Sequence, residues 1–374
     1  MDDAAGVYRR LQRHLDQLPI GFPATGSGVE LRILGRLFTP EEAELALLLS
    51  ALPEPVQAIA GRAAGWTQAE LGARLEGLSK KGAIFGVGRP GARRYAKAPL
   101  AIGIYEMQVD RLTPELQADF EQYAREGFGQ AFLGVKTKQM RTVPVNARFV
   151  AERVVGRYDD ARALLGGGAG PWAVLNCVCR QGRELLGEPC RQTDVRRTCL
   201  AIGPAARSPI ASGVGEPATR DEVLALVDRA EADGMVLQPS NTRDPVFMCF
   251  CCGCCCGVLR TAKQFPRPAQ YVASNHHARV DAGLCTGCEA CQPRCAMDAL
   301  RTSEGASVVD LGGCFGCGAC VAGCPAEAIS LAPNPGASAP PRDLKSLYAR
   351  IAIERFGLLG TARKLGRALL RRPV

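Results

Sequence analysis

Apolar positions recur with a helical period in several segments of the first hundred residues. Residues 7–18 form one such stretch, and the residues from Thr39 to Glu42 are a capping box that opens an apolar helix over 43–52. A short helix fits residues 55–64, before Gly65. A second capping box, from Thr67 to Glu70, opens a helix to about residue 81 whose apolar face carries leucines at 71, 75 and 78.

The pattern then changes to that of strands. Residues 83–87 and 94–96 are strand-like and flank a Gly/Pro turn, which predicts a hairpin. The order helix, short helix, helix, hairpin over residues 55–99 resembles the winged-helix DNA-binding domains of MarR-like regulators. Six basic side chains without an acid lie between Glu76 and Glu106, which suits phosphate contacts, although solvated or protein-docking winged helices are equally common: Lys80, Lys81, Arg89, Arg93, Arg94 and Lys97.

Further elements are predicted along the rest of the chain. Thr113 and Pro114 open a helix to about residue 125, and the glycine-rich residues 166–170 lead into a strand at 172–175. That glycine run lacks the Lys-Ser/Thr of a phosphate-binding loop, so it is interpreted as a linker. In the last segment, Leu344, Ile351, Leu358 and Leu365 recur every seven residues and predict an amphipathic helix.

Length and composition narrow the class of protein. The chain has 374 residues, 47% of them apolar, which is enough for two or three domains with buried cores. No window of eighteen apolar residues would form a transmembrane segment, and the N-terminus does not resemble a signal peptide. We therefore expect a cytoplasmic protein. Of the formal charge of +9, most lies in residues 342–374, so global basicity does not argue for nucleic acid binding.

Cysteine content is the most informative feature of the composition. All 18 cysteines lie between Cys177 and Cys324, and the chain has only three histidines. In a cytoplasmic protein, dense cysteine indicates metal rather than disulfides. We therefore expect metal sites whose ligands are mostly thiolates.

Two runs of cysteines near the C-terminus repeat one spacing, C-x2-C-x2-C-x3-C. The first begins at Cys285 and the second, 29 residues later, at Cys314. Residues 278–333 thereby resemble bacterial ferredoxins with two [4Fe-4S] clusters, although Ala296 stands where such proteins usually have proline. The resemblance implies crossed ligand sets: cluster I on Cys285, Cys288, Cys291 and Cys324, and cluster II on Cys314, Cys317, Cys320 and Cys295. Zinc would favour two separated pairs instead.

The ten other cysteines fall into two groups along the chain. Cys177, Cys179, Cys190 and Cys199 could supply a third cluster or bind zinc. Cys249, Cys251, Cys252, Cys254, Cys255 and Cys256 are too crowded to bind one cubane together, because neighbouring strand residues point to opposite faces. We predict one or two additional Fe-S clusters, with a helix opening at about Gly257; a reducible disulfide pair is the other alternative.

The combination of these segments resembles a family of anaerobe iron-sulfur proteins often described only as ferredoxin-domain proteins. The shared features are the winged-helix-like N-terminus, the Asn-Cys-x-Cys-Arg segment at 176–180, the Cys-rich run at 251–256 and the terminal ferredoxin. This resemblance implies handling of electrons by several clusters. Cys251-Cys252-Gly253 is also similar to the CCG domains of heterodisulfide reductases, but the surrounding spacings differ.

The predicted fold class is α+β and multidomain. Residues 1–105 form a winged-helix-like domain, 106–170 a helical connector, 171–275 a cysteine-rich metal-cluster domain, 276–333 a ferredoxin domain, and 334–374 a linker with a basic amphipathic tail.

Electron transfer is the favoured function, and no catalytic residue is identified. The expected partner is a ferredoxin, a flavodoxin or an oxidoreductase subunit. The alternatives are a redox- or oxygen-responsive regulator that binds DNA through residues 55–99, and a protein for Fe-S cluster storage or repair. The tail at 342–374 could contact an anionic membrane surface, an acidic partner or its own domain.

Overall fold

A computed structural model describes residues 2–89, 91–145, 157–167 and 170–369. Its elements are a mixture of helices and strands, as the predicted α+β class requires. Two compact units divide the chain: Met1–Lys136 with Tyr348–Val374, called unit 1, and Thr137–Leu347, called unit 2. The cysteine-rich and ferredoxin segments therefore share one unit, and part of the predicted connector, at 146–156 and 168–169, lies outside the described residues.

Unit 1 is mainly helical. Both predicted capping boxes are present. The side chains of Thr39 and Thr67 each accept a hydrogen bond from the backbone N–H of a glutamate three residues later, and the carboxylate of that glutamate accepts one from the backbone N–H of the threonine. The first helix ends at Leu15 and the third at Leu47, both earlier than predicted. The helices are α1 (Asp2–Leu15), α2 (Val29–Leu37), α3 (Pro40–Leu47), α4 (Val56–Ala60), α5 (Gln68–Lys80), α6 (Pro114–Tyr123) and α7 (Gly129–Leu133).

A small antiparallel sheet completes the middle of unit 1. Its strands lie in the order β1-β3-β2, and β2 and β3 form the predicted hairpin. Leu71, Leu75 and Leu78 of α5 are buried, which confirms the predicted apolar face. The strands are β1 (Glu54–Pro55), β2 (Ile84–Val87) and β3 (Arg94–Lys97).

The central part of unit 2 is a five-stranded antiparallel sheet in the order β6-β4-β5-β8-β7. The strand predicted after the glycine-rich segment is present as β4. The strands are β4 (Trp172–Asn176), β5 (Arg197–Ile202), β6 (Gly215–Ala218), β7 (Val236–Pro239) and β8 (Phe247–Cys251).

Helices pack on this sheet and enclose its main core. Val223, Val227 and Ala230 of α11, the longest of these packed helices, are fully buried with Leu200 and Met248 of the sheet. The helix predicted near Gly257 is present, and Cys256 immediately precedes it. The helices are α8 (Ala161–Gly166), α9 (Val178–Leu185), α10 (Arg207–Ser212), α11 (Arg220–Asp233) and α12 (Gly257–Ala262).

The segment with repeated cysteine runs is built from two pairs of antiparallel strands and one helical turn. Strand β9 pairs with β12, although 48 residues separate the end of one from the start of the other along the chain, and β10 pairs with β11 across a tight turn. The core between them is small and includes Leu331 and Ile329. The elements are β9 (His276–Val280), β10 (Leu300–Ser303), β11 (Ala306–Val309), α13 (Ala319–Ala322) and β12 (Ile329–Pro333).

The predicted tail helix is α14 (Leu344–Leu369), interrupted at Gly357, where φ is +72°. Within unit 1, Arg355 donates to the Leu18 carbonyl (2.7 Å) and to Asp16 (3.0 Å), and Lys364 donates to Gln17. Beyond the break, Leu358 and Leu359 are exposed. Among the helices that the structure describes, none has the length and apolarity needed to span a bilayer.

Candidate metal centres

Eight thiols in unit 2 surround two small cavities. One cavity is lined by Cys285, Cys288, Cys291 and Cys324, and the other by Cys295, Cys314, Cys317 and Cys320. Each cavity therefore draws three cysteines from one run and the last cysteine of the other run. Four thiols around one space are the donor set that a [4Fe-4S] cubane requires, so the residues fit that group.

The turns that present these thiols depend on glycine. Gly287 and Gly316, each directly before the second cysteine of a run, have φ of +68° and +58°. A Cβ at these positions would lie 2.5 Å from the Gly305 carbonyl oxygen and 2.3 Å from the His276 carbonyl oxygen, respectively. Both glycines are thus required for conformation and for space, which explains why the sequence has glycine at both places.

Backbone amides point at several of the sulfurs. The N–H groups of Ser307, Ala299 and Ala278 donate to the sulfurs of Cys285 (3.3 Å), Cys295 (3.2 Å) and Cys314 (3.3 Å). Such hydrogen bonds stabilise thiolate charge and tune the reduction potential of a bound cluster. Each donor lies in a strand or turn that the fold of this segment brings to the cavity.

The two cavities differ in how strongly burial opposes the thiolate form. Amides of Ser307 and Gly287 lower the pKa of Cys285 at the first cavity. At the second, burial raises the pKa of Cys295, of Cys314 and, to about 12, of Cys317. A metal must therefore displace protons from the second set, and its binding releases them.

Six of the ten upstream cysteines form one continuous chain of neighbours. Each thiol influences the pKa of its neighbour in the order Cys199, Cys249, Cys251, Cys256, Cys179 and Cys177, so these six side chains lie near one another, and we call them the six-thiol group. Its members come from β5, β8 and the starts of α9 and α12. Cys199 and Cys249 are direct partners across the sheet.

The other four cysteines converge on one point. Cys190, Cys252, Cys254 and Cys255, here called the four-thiol group, have all their sulfurs within 4.8 Å of one another. The sulfur of Cys190 lies 3.7 Å from those of Cys252 and Cys254, and the last is 3.7 Å from that of Cys255. Three ligands come from the turn between β8 and α12, and Cys190 comes from the loop after α9.

This arrangement regroups the cysteines that are close in sequence. Cys190 lies with residues 252–255 rather than with Cys177 and Cys179, so the set of four proposed from spacing is not brought together. Cys251 and Cys252 belong to different groups, as expected where a strand alternates its faces. The order of cysteines along the chain could not reveal this division, because β5 and β8 become neighbours only in the folded sheet.

A buried arginine lies beside both groups. The guanidinium of Arg180 donates to the Phe250 carbonyl (3.0 Å) and to the hydroxyl of Thr198. Burial opposes its charge, but Cys177, Cys252 and Cys190 outweigh burial and raise the pKa of Arg180. It therefore offsets negative charge that thiolates and a metal centre bring into the core.

The turn that carries Cys252, Cys254 and Cys255 contacts the segment with repeated runs directly. Gly253 packs so closely on Ala296 that a Cβ at position 253 would lie 2.5 Å from the Ala296 carbonyl oxygen. Ala296 directly follows Cys295, which lines the second cavity. Arg294 fastens the contact by donating to the carbonyls of Ala232 (3.1 Å), Glu231 (2.5 Å) and Ala319 (2.8 Å). Sequence reasoning missed Arg294, and it named Gly253 only for its resemblance to CCG domains; the lone glycine inside a cysteine run was the available signal for a close contact.

Several of the basic residues assigned to the hairpin of unit 1 are engaged internally. Arg93 pairs with Glu76 (2.9 Å) and Lys81 with Glu42 (2.6 Å). Lys97 is only 2% exposed and donates to the His14 carbonyl (2.7 Å). Lys80, Arg89 and Arg94 are exposed, so about half of the predicted basic patch faces solvent.

The family comparison supports the C-terminal assignment. Residues 284–329 match the family model of the 4Fe-4S dicluster domain, so this segment is of a type that binds iron-sulfur clusters. No curated protein and no solved structure matches the chain. The match and the clustered thiols support an iron-sulfur protein.

Proposed function

We propose that this protein is an electron-transfer protein that holds two [4Fe-4S] clusters with crossed ligands and exchanges electrons with its own central thiol domain. The two cavities support this assignment, because each is lined by the four cysteines that the ferredoxin pattern implies. Bound there, the clusters would supply single-electron exchange. The protein's part is to position the thiols, donate amides to their sulfurs and exclude water.

The contact between Gly253 and Ala296 supports electron exchange with the central domain. It places the backbone next to Cys295 against the turn that carries Cys252 and Cys254, with no side chain between them. The turn also leads into Cys255 and Cys256, so ligands from both central groups lie within a few residues of the contact. We assign a further iron-sulfur centre to the six-thiol group, where neighbouring sulfurs suit a cluster less regular than a cubane.

A soluble redox partner would meet the first cavity. Cys288 is the exposed cysteine of the eight, and Leu284 beside Cys285 has 56% of its surface exposed. The exposed ligand Cys288 brings the first cavity close to the surface, which suits brief docking of a ferredoxin, a flavodoxin or an oxidoreductase subunit. We therefore propose that electrons enter at cluster I and reach the central domain from cluster II.

The crossed ligation is tested with paired variants purified without oxygen. Cys324→Ala and Cys288→Ala should perturb the same cluster, and Cys295→Ala and Cys317→Ala the other, as followed by the EPR spectrum of the reduced protein. If Cys324→Ala instead perturbs the same cluster as Cys317→Ala, each run binds its own cluster and the crossed assignment is wrong.

Electron transfer itself is tested by rapid mixing with a reduced flavodoxin. We expect fast, reversible bleaching of the cluster absorption, with full recovery on reoxidation. Gly253→Val is the matched variant, because it leaves every thiol in place but forces the two segments apart. It should leave reduction of the ferredoxin clusters unchanged and slow the later phase in the central domain. Failure of the clusters to reduce at all would refute the proposal.

The regulator alternative has weaker support. Helix, short helix, helix and hairpin follow one another over residues 55–99, but Lys81, Arg93 and Lys97 are held by intramolecular partners. Phosphate contacts would rest on Lys80, Arg89 and Arg94. Lys80 also lies 3.9 Å from Glu76, and Arg94 donates to the Pro53 carbonyl (3.0 Å), so docking of another protein is the better-supported role for this segment.

A further inference from the structure

The sulfurs of the four-thiol group are spaced for one metal ion. Three of their separations are 3.7 Å and all are within 4.8 Å. Four thiolates at about 2.3 Å from a tetrahedral ion are about 3.8 Å apart, since a tetrahedron's edge is about 1.63 times its centre-to-corner distance. The observed spacing agrees with that value.

A cubane demands a wider spacing than this. Each thiolate of a [4Fe-4S] cluster binds a different iron, and the irons and sulfides between them hold the thiolates further apart than a shared ion does. The eight cysteines that line the two ferredoxin cavities provide an internal reference. In the described parts of the chain, they do not converge as the four-thiol group does.

The turn and the loop that supply the four cysteines also suit a compact site for one ion. Cys252, Cys254 and Cys255 come from one turn, and the backbone N–H of Cys256 bonds the Cys252 carbonyl (3.1 Å), which keeps that turn tight. Cys190 reaches it from the loop after α9, 62 residues earlier in the chain. A single ion would therefore fasten this loop to the turn that contacts the ferredoxin segment.

We propose that Cys190, Cys252, Cys254 and Cys255 bind one tetrahedral ion, either Zn²⁺ or iron, without inorganic sulfide. Both ions accept four thiolates in this geometry. The site differs from the clusters of the proposed function and does not depend on them. It leaves the six-thiol group as the place in the central domain for a further cluster.

The test counts metals and acid-labile sulfide in the full-length protein isolated without oxygen. Cys190→Ala and Cys254→Ala should each lose one metal ion per chain and no sulfide. Arg191→Ala is the matched control, since this exposed side chain adjoins Cys190 without belonging to the group, and it should keep all the metal. Loss of zinc identifies a zinc site, and loss of one iron identifies an iron site; either result supports the proposal.

Two results would overturn it. Loss of several irons together with as many sulfides would mean that the group holds a cluster, and an unchanged metal content would mean that it holds no metal. Because either variant could fail to fold, X-ray absorption of the unmodified protein gives a second readout. If the site holds zinc, the zinc edge should show four sulfur neighbours at about 2.3 Å. If it holds iron, one iron per chain should show a mononuclear Mössbauer signature; absence of both overturns the proposal.

Discussion

The two thiol-rich regions of unit 2 hold their cysteines in different ways. The central domain carries ten thiols around a five-stranded sheet, and its main core has thirteen buried residues, none of them cysteine. The core of the ferredoxin segment has seven buried residues, of which Cys291 and Cys320 are two. The central domain thus has a main core that contains no thiol, and its four buried cysteines, Cys251, Cys252, Cys255 and Cys256, lie outside that core. The ferredoxin segment uses the thiols as part of its interior, so its stability depends on what binds them.

Removal of iron should cause the largest loss of stability, and it should affect the two regions differently. After chelation without oxygen, we expect β9 and β12 to lose protection against hydrogen exchange, because their small core cannot replace the clusters. Strands β5 and β8 should keep theirs, since Leu200 and Met248 are packed in a core without metal. Exchange measured by mass spectrometry resolves the segments. Simultaneous loss of protection in both regions would contradict the comparison.

Replacing Arg180 tests whether the stability of the central domain depends on this buried positive charge beside the thiols. Arg180→Met leaves the Thr198 hydroxyl and the Phe250 carbonyl without their donor and removes a buried cation near three thiols. We expect a loss of about 3 kcal/mol in the free energy of unfolding of the central domain. Trp172, on β4, reports this unfolding by fluorescence in a Trp66→Phe background.

Arg180→Lys provides the control for that variant. It keeps the charge but cannot reach both hydrogen-bond acceptors with one planar group, so the loss should be smaller. Iron bound by the ferredoxin segment should be the same in both variants. If the Met variant is as stable as the unmodified protein, Arg180 does not compensate charge in this core.

The smallest change in stability is expected in unit 1, which has no cysteine, and it should follow from a change of pH. Burial, together with Lys364, lowers the pKa of Lys97 to about 7. In the unfolded chain this lysine keeps its proton up to a pH of about 10.4, so the unfolded state binds more protons between these values and stability rises with pH. From pH 7 to 8.5 the gain should be about 1.5 kcal/mol.

Trp66 fluorescence in a Trp172→Phe background measures this stability. Lys97→Met should remove the rise, because it has no proton to lose. A rise of the same size in the Met variant would assign the pH dependence to another group. The central domain, whose scaffold lies in unit 2, gives the reference against which the effect of Lys97 is judged.

Local signals in the sequence located most of the elements. Thr39 and Thr67 begin helices because their side chains cap the backbone amides of the first turn, an interaction within four residues. The leucines of α5 and the strand β4 were likewise visible, because periodicity reflects which face is buried. Helix ends were less accurate, since α3 stops at Leu47, five residues before the predicted end at residue 52.

The sequence by itself determined that the C-terminal segment has ferredoxin-type cysteine spacing, because those ligands lie close together on short loops. Only the tertiary structure decided how the ten upstream cysteines divide. Cys199 joins Cys249 because β5 and β8, which are far apart in the chain, pair in one sheet, and Cys190 joins Cys252 because the fold brings the loop after α9 against the turn after β8. The same folding brings Gly253 against Ala296, a contact between backbones that a pattern of side chains in the sequence cannot predict.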